Sequence, residues 1–151
     1  MKLKPLMTMY ATLRQTVSVG EGPYGNRMIA DISGGTFEGE KLKGEVLVSG
    51  ADWVTVDADG VGRLDVRATL RTDDGANLYL QYFGVLLFND KTNDSLAGKK
   101  DADFGDTYFI TQPRFETGDE RYKWLNRIVV VAEGRALKSA VEYQMFEVVG
   151  S

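Results

Sequence analysis

The most constraining passage runs from Gly44 to Phe88: GEVLVSGADWVTV, DADG, VGRLDVRATLRT, DDG, ANLYLQYFGVLLF. Three extended segments with period-two hydrophobicity are joined by Asp-Gly turns, the strongest short-range hairpin signal in a sequence. A chain written this way folds as an antiparallel meander. Upstream, PLMTMYATLRQTVSV and GNRMIADISGGTF read as two more strands joined by EGPYGN; downstream, DTYFITQP, NRIVVVAEGRA and SAVEYQMFEVV supply another three. Asp119 can cap one short helix within GDERYKWLN, with the acidic Glu120 in its first turn as the helix dipole favours. NDKTNDSLAGKKDAD is polar and aperiodic and reads as a surface loop.

About eight sequential antiparallel strands with one short helix predict a single all-β domain over 1–151, closed as a barrel because closure leaves no open sheet edge. A two-sheet sandwich shares the pattern. At 151 residues the chain is long enough to build a core without staples.

Composition narrows the chemistry. There is no Cys and no His, which removes disulfides, thiolate nucleophiles, the usual zinc ligands and every dyad built on histidine. Proton transfer near neutral pH then falls to Asp, Glu, Lys or Tyr with shifted pKa values. The formal charge of -4 and the lack of a basic cluster with interleaved aromatics argue against nucleic acid as a partner. No apolar run approaches the ~20 residues of a membrane-spanning helix, and the first residues do not read as a signal peptide. The expectation is a cytoplasmic protein that needs no cofactor or metal and takes a small organic ligand. A homo-oligomer stays open, since the aliphatic face of a wall strand could pack on a second subunit. GEGPYG lacks the Lys-Ser/Thr ending and helix of a phosphate loop, and DADG lacks the downstream Glu of a calcium loop, so both read as turns.

Candidate site residues come from alternation along the strands. Leu64, Val66, Ala68 and Leu70 share one face; Arg63, Asp65, Arg67, Thr69 and Arg71 share the other. The plain reading is a core face and a solvated face. The functional reading places Asp65 and Arg67 inside a partly polar lumen, as mutual partners that bind substrate. In SGADW a glycine interrupts a strand, which often marks a bulge that re-aims its neighbours. Asp52 would then stand beside Trp53, an apolar ring that raises a carboxyl pKa toward useful acid–base values. Asp52, Tyr79 and Glu116 are the catalytic candidates. Trp53, Asp65, Arg67, Tyr108, Arg114 and Trp124 are the substrate-binding ones. In TQPRFETGDERYKWLNR, Pro113 is expected to end a strand, Arg114 and Glu116 to project from an irregular segment, and Trp124 to ride a helical turn that either covers a cavity or fills the core.

The phrases GGTFEGEKLKGEVLVSGADW, RLDVRATLRTDDGANLYLQYFG and PRFETGDERYKWLNR resemble the family known as domain of unknown function 3237, over about Met7 to Val148. The resemblance implies a single-domain antiparallel β-barrel and brings no mechanism. Family-like positions include Asp52, Trp53, Asp65, Arg67, Asp74, Tyr79, Arg114, Glu116, Tyr122, Trp124 and Asn126; Ala68 departs from an expected aromatic. Beside a structural or assembly role through the barrel's outer face, two functions stay open. One is a cofactor-independent enzyme moving protons on a small organic molecule, as a lyase, isomerase, dehydratase or cyclase. The other is a carrier or sensor barrel that binds a small molecule without chemistry.

Overall fold

A computed structural model describes Met1–Ser151. Nine strands appear in chain order: β1 (Lys2–Leu13), β2 (Val17–Gly22), β3 (Gly25–Glu38), β4 (Lys43–Val56), β5 (Val61–Thr72), β6 (Asn77–Leu87), β7 (Phe109–Glu116), β8 (Val129–Leu137) and β9 (Ala140–Val149). All neighbouring pairs are antiparallel, in the order β1-β9-β8-β7-β6-β5-β4-β3-β2. A further β1–β3 pairing, from Thr8–Glu38 to Leu13–Ile32, closes eight of them into a barrel and leaves β2 as a hairpin arm on β3. The barrel reading holds and the sandwich does not.

The register fixes which face looks inward, because directly opposed residues of an antiparallel pair lie on one side of the sheet. Leu64, Val66, Ala68 and Leu70 are buried, and β6 presents Leu78, Leu80, Tyr82 and Leu86 beside them. Together with Met7, Met9, Phe37, Val46, Val54, Phe109, Phe115, Val130, Tyr143 and Met145 they belong to one 25-residue core cluster that fills the lumen. An eight-stranded barrel is just wide enough for side chains to do this. Ala68 is part of that cluster, opposite Gly50 and Leu80.

This overturns the lumenal placement of Asp65 and Arg67. They lie on the outer wall, Arg67 exposed and Asp65 half-buried. The aliphatic face took the lumen because burying four apolar side chains there costs no charge desolvation.

Two other expectations are corrected. Pro113 does not end a strand: β7 continues to Glu116, so Arg114 and Glu116 alternate outward from a regular strand while Pro113 and Phe115 point inward. The segment read as a loop contains a short helix, α1 (Asp90–Leu96). Asn89 caps it by accepting from the Thr92 N–H (3.1 Å), while Thr92 Oγ1 accepts from the Asn89 N–H (2.9 Å). This is a capping box with Thr in the place usually held by Glu or Gln, so the sequence signal was faint.

The expected helix in GDERYKWLN is a 3-10 helix over Glu120–Arg127, capped by Asp119. Tyr122 and Leu125 bury into the core cluster, and Trp124 packs against it half-buried, with Lys41 Nζ 5.0 Å from its ring centre. Asp74, in the β5–β6 turn, ties this helix down by accepting from the Tyr122 hydroxyl (2.8 and 2.9 Å) and pairing with Arg121 (3.3 Å). Asn126 clamps the Thr117 backbone, accepting from its N–H and donating to its carbonyl, both at 2.8 Å. Asp74, Tyr122 and Asn126 therefore have structural work that explains their presence. No helix is long and apolar enough to cross a membrane.

Candidate functional site

The β4–β5 ladder is interrupted twice. A bulge separates Val46–Leu70 from Gly50–Ala68, and pairing stops after Asp52–Val66 and resumes at Thr55–Arg63. Gly50 makes the bulge: its φ is +95°, and a Cβ there would collide with the Arg67 carbonyl oxygen. The expected bulge is present, and because it shifts the β4–β5 register by two residues Asp52 keeps the face of Val46 and Val54. Asp52 opposes Val66 on β5 and Ala30 on β3, both buried, so its side chain is on the lumenal face.

At the second interruption side chains replace ladder bonds. Asp52 Oδ1 accepts from the Asp65 N–H at 3.2 Å, and Arg27 donates to the Trp53 carbonyl at 2.8 Å. Burial pushes the Asp52 carboxyl up to about 7; the hydrogen bond from the Asp65 N–H opposes that, and the Asp65 carboxylate adds to it. Trp53 follows Asp52 and so points to the opposite face; the lumen, more than the indole, desolvates the carboxyl. No arginine lowers it, because Arg67 is turned outward over the Trp53 ring, 5.7 Å from its centre.

Two tyrosines complete the inner cluster. Tyr82 and Tyr143 pack edge to face with ring centres 5.2 Å apart, and Phe109 stands 5.4 Å from Tyr143. Burial raises both phenol pKa values well above the ordinary one, and the Asp52 charge adds to each shift. Both therefore stay protonated throughout the neutral range. Asp65 Oδ1 is buried without a hydrogen-bond partner, as are Asn26 Oδ1 and Thr111 Oγ1. The arrangement is a carboxyl that can gain or lose a proton near neutrality, beside two O–H groups that cannot ionise. Sequence reasoning missed Tyr82 and Tyr143. The signal was available: Tyr82 falls on the apolar side of the alternation in β6.

The remaining candidates do not join Asp52. Tyr79, Arg114 and Glu116 come together on the outer wall, where Tyr79 opposes Glu116 and Gln81 opposes Arg114. With Gln81, Phe115 and Asn126 they line a groove of about 320 Å³. Tyr108 is exposed just before Phe109, at the opposite end of the β6–β7 ladder from Tyr79. Trp124 sits on the 3-10 helix with its ring against the core. One shared cavity for all these residues is thus not what the fold builds. No three Asp or Glu side chains converge in a way that could hold a metal ion.

This fold recurs in other proteins. A UPF0311 protein of Rhodopseudomonas palustris is 33% identical over 131 residues, which are 87% of this chain and 86% of the relative. A β-barrel-like protein from Acinetobacter baumannii superposes with a TM-score of 0.84 at 40% identity, covering 97% of this chain and 94% of the other. A structure described as an enzyme from Penicillium herquei shares the fold at a TM-score of 0.70 and 21% identity, over 97% and 94% of the two chains. The family model described as Protein of unknown function (DUF3237) matches residues 1–148, and the chain belongs to that family.

Proposed function

We propose that the protein is a cofactor-independent enzyme that moves a proton on a small organic molecule, as a lyase, isomerase, dehydratase or cyclase does, with Asp52 as the acid–base group. The observation that carries this reading is the Asp52 carboxyl, raised to about 7 on the lumenal side of a broken ladder. A general base works best when its pKa lies near the working pH. In the simplest step, carboxylate Asp52 takes a proton from a carbon next to a carbonyl. Tyr82 and Tyr143 donate hydrogen bonds to the enolate oxygen that forms, and Asp52 then returns the proton to the same or a neighbouring carbon. Asp52 is only half-buried, and Trp53, Asp65 and Arg67 flank the interruption from outside. In this proposal a substrate approaches there, with Arg67 holding an anionic group and Trp53 an apolar one.

The test is proton exchange. A panel of small ketones and keto acids is incubated in D2O with the protein, and loss of carbon-bound protons is followed by NMR. Exchange above background should appear for some members and rise with pH around an apparent pKa near 7. Asp52→Asn, which can still accept from the Asp65 N–H, should slow it by ~10²–10⁴-fold. Exchange that is equally fast in the folded Asn variant would remove Asp52 from the mechanism.

A further inference from the structure

A second opening in the barrel wall lies between β7 and β8. Their ladder consists of two pairs, Ile110–Glu133 and Thr111–Ala132. Beyond Thr111 the strands run on without pairing: Gln112–Arg114 on one side, Val129–Val131 on the other. Proline explains the break. The β6–β7 ladder continues through Tyr82–Pro113 without interruption, so the nitrogen that cannot donate faces β8. The result is a cleft of about 420 Å³ lined by Phe83, Pro113, Ile128, Val129, Val130 and Val131, with Gln112 and Arg114 as its polar members. Phe83 and Val129 are exposed, at 49% and 66%, and leave apolar surface in water on the cleft walls.

Arg114 is the single charged side chain of this cleft, and it is not neutralised. Its one protein partner is Gln81 Oε1 at 3.2 Å, and no carboxylate lies within 4.0 Å of it. Arg63, Arg121 and Arg135, by contrast, are each held by an acidic side chain. Arg114 also lines the neighbouring polar groove that contains Glu116, so a negative charge stands on its far side.

We propose that the β7–β8 cleft binds a small organic monoanion, a carboxylate on an aromatic ring or branched aliphatic body. The carboxylate sits on the Arg114 guanidinium, whose fork matches its two oxygens. The body lies between Phe83 and the Ile128–Val131 edge. The volume is in the range of sites for small ligands. Glu116 disfavours a second negative group, so dicarboxylates bind less well. This site stands on the outer wall and does not depend on the reaction assigned to Asp52.

Benzoate, isovalerate, phthalate and neutral benzamide serve as probes, titrated into the isotopically labelled protein while Val and Ile methyl NMR signals are followed. Benzoate and isovalerate should shift the Ile128–Val131 signals saturably, with benzamide and phthalate at least about tenfold weaker. Arg114→Gln should erase the preference for benzoate over benzamide. Arg71→Gln, an exposed arginine outside both sites, should leave it intact. Should the Arg114 variant fail to fold, Val129→Asp provides the second arm, because a carboxylate on the exposed rim should repel the same probes. Equal binding of benzoate and benzamide, a preference that survives loss of Arg114, or no saturable shift with any carboxylate would each overturn the proposal.

Discussion

Between β4 and β5 the ladder is broken by extra backbone; between β7 and β8 it is broken by a missing donor. The two seams belong to one barrel, yet they leave different surfaces. At the first, Asp52 points inward two residues past the Gly50 bulge, and the carboxylate itself satisfies a backbone N–H that lost its partner. At the second, Pro113 has no N–H to satisfy, so the strands part and the apolar edge of β8 faces water. A bulge imports a polar group into the wall, whereas a proline only opens it. One seam accordingly offers proton chemistry and the other offers adhesion.

The largest effect should come from removing the bulge's conformational licence. Gly50→Ala introduces a side chain at φ +95° and against the Arg67 carbonyl. We expect about 4 kcal/mol or more of lost stability in denaturant unfolding, in the range reserved for severe backbone strain. A loss under about 1 kcal/mol would mean that the seam relaxes easily and does not fix Asp52.

Asp52→Asn should come next, and its sign depends on pH. The folded carboxyl is held near 7, above its ordinary 3.8. Its contribution to stability is therefore complete below pH 4 and is lost as pH rises through 7. Relative to wild type, the Asn variant should gain stability across that window, levelling off at roughly 4 kcal/mol at most. Parallel stability curves from pH 4 to 8 would show that the carboxyl titrates normally.

Pro113→Val tests the other seam and should change stability by only about 1 kcal/mol, since it trades chain stiffness for a possible ladder bond. Amide exchange is the informative readout: a protected N–H at position 113 would show β7 and β8 zipping together, and benzoate binding should weaken in step. The smallest effect belongs to Arg67→Ala, which removes the stacked guanidinium from Trp53 and should cost ~0.5–1 kcal/mol. A larger cost would show that Arg67 braces the first seam from outside.

Much of this architecture was legible. The Asp-Gly turns gave the meander, and the glycine in SGADW gave the bulge and with it Asp52. What could not be read was the partner of each face. In β5 an aliphatic row and a charged row alternate perfectly, and only closure at eight strands decides that the aliphatic row fills the lumen. Asp52 shares the lumenal face of Val46 and Val54, because the bulge shifts the β4–β5 register by an even two residues, so alternation along β4 would have placed it there. The cleft beside Arg114 is less local still. It depends on where β8 starts after the 3-10 helix, which no residue near Pro113 records. The structure brings Tyr79, Arg114 and Glu116 to one groove on the outer wall and leaves Asp52 apart from them.

The closure of the barrel through β1 also has a consequence for how fast the chain can fold. Most ladders join consecutive strands, but β1 pairs with β9, Lys2 opposite Val149, and with β3. The β3–β6 meander and the β8–β9 hairpin can zip from their short turns, while the β1–β9 seam must bring together residues at opposite ends of the sequence. Such non-local pairing slows folding. During synthesis the growing sheet keeps its apolar face uncovered and two strand edges unpaired until β9 has emerged, a stage at which open sheets associate with one another.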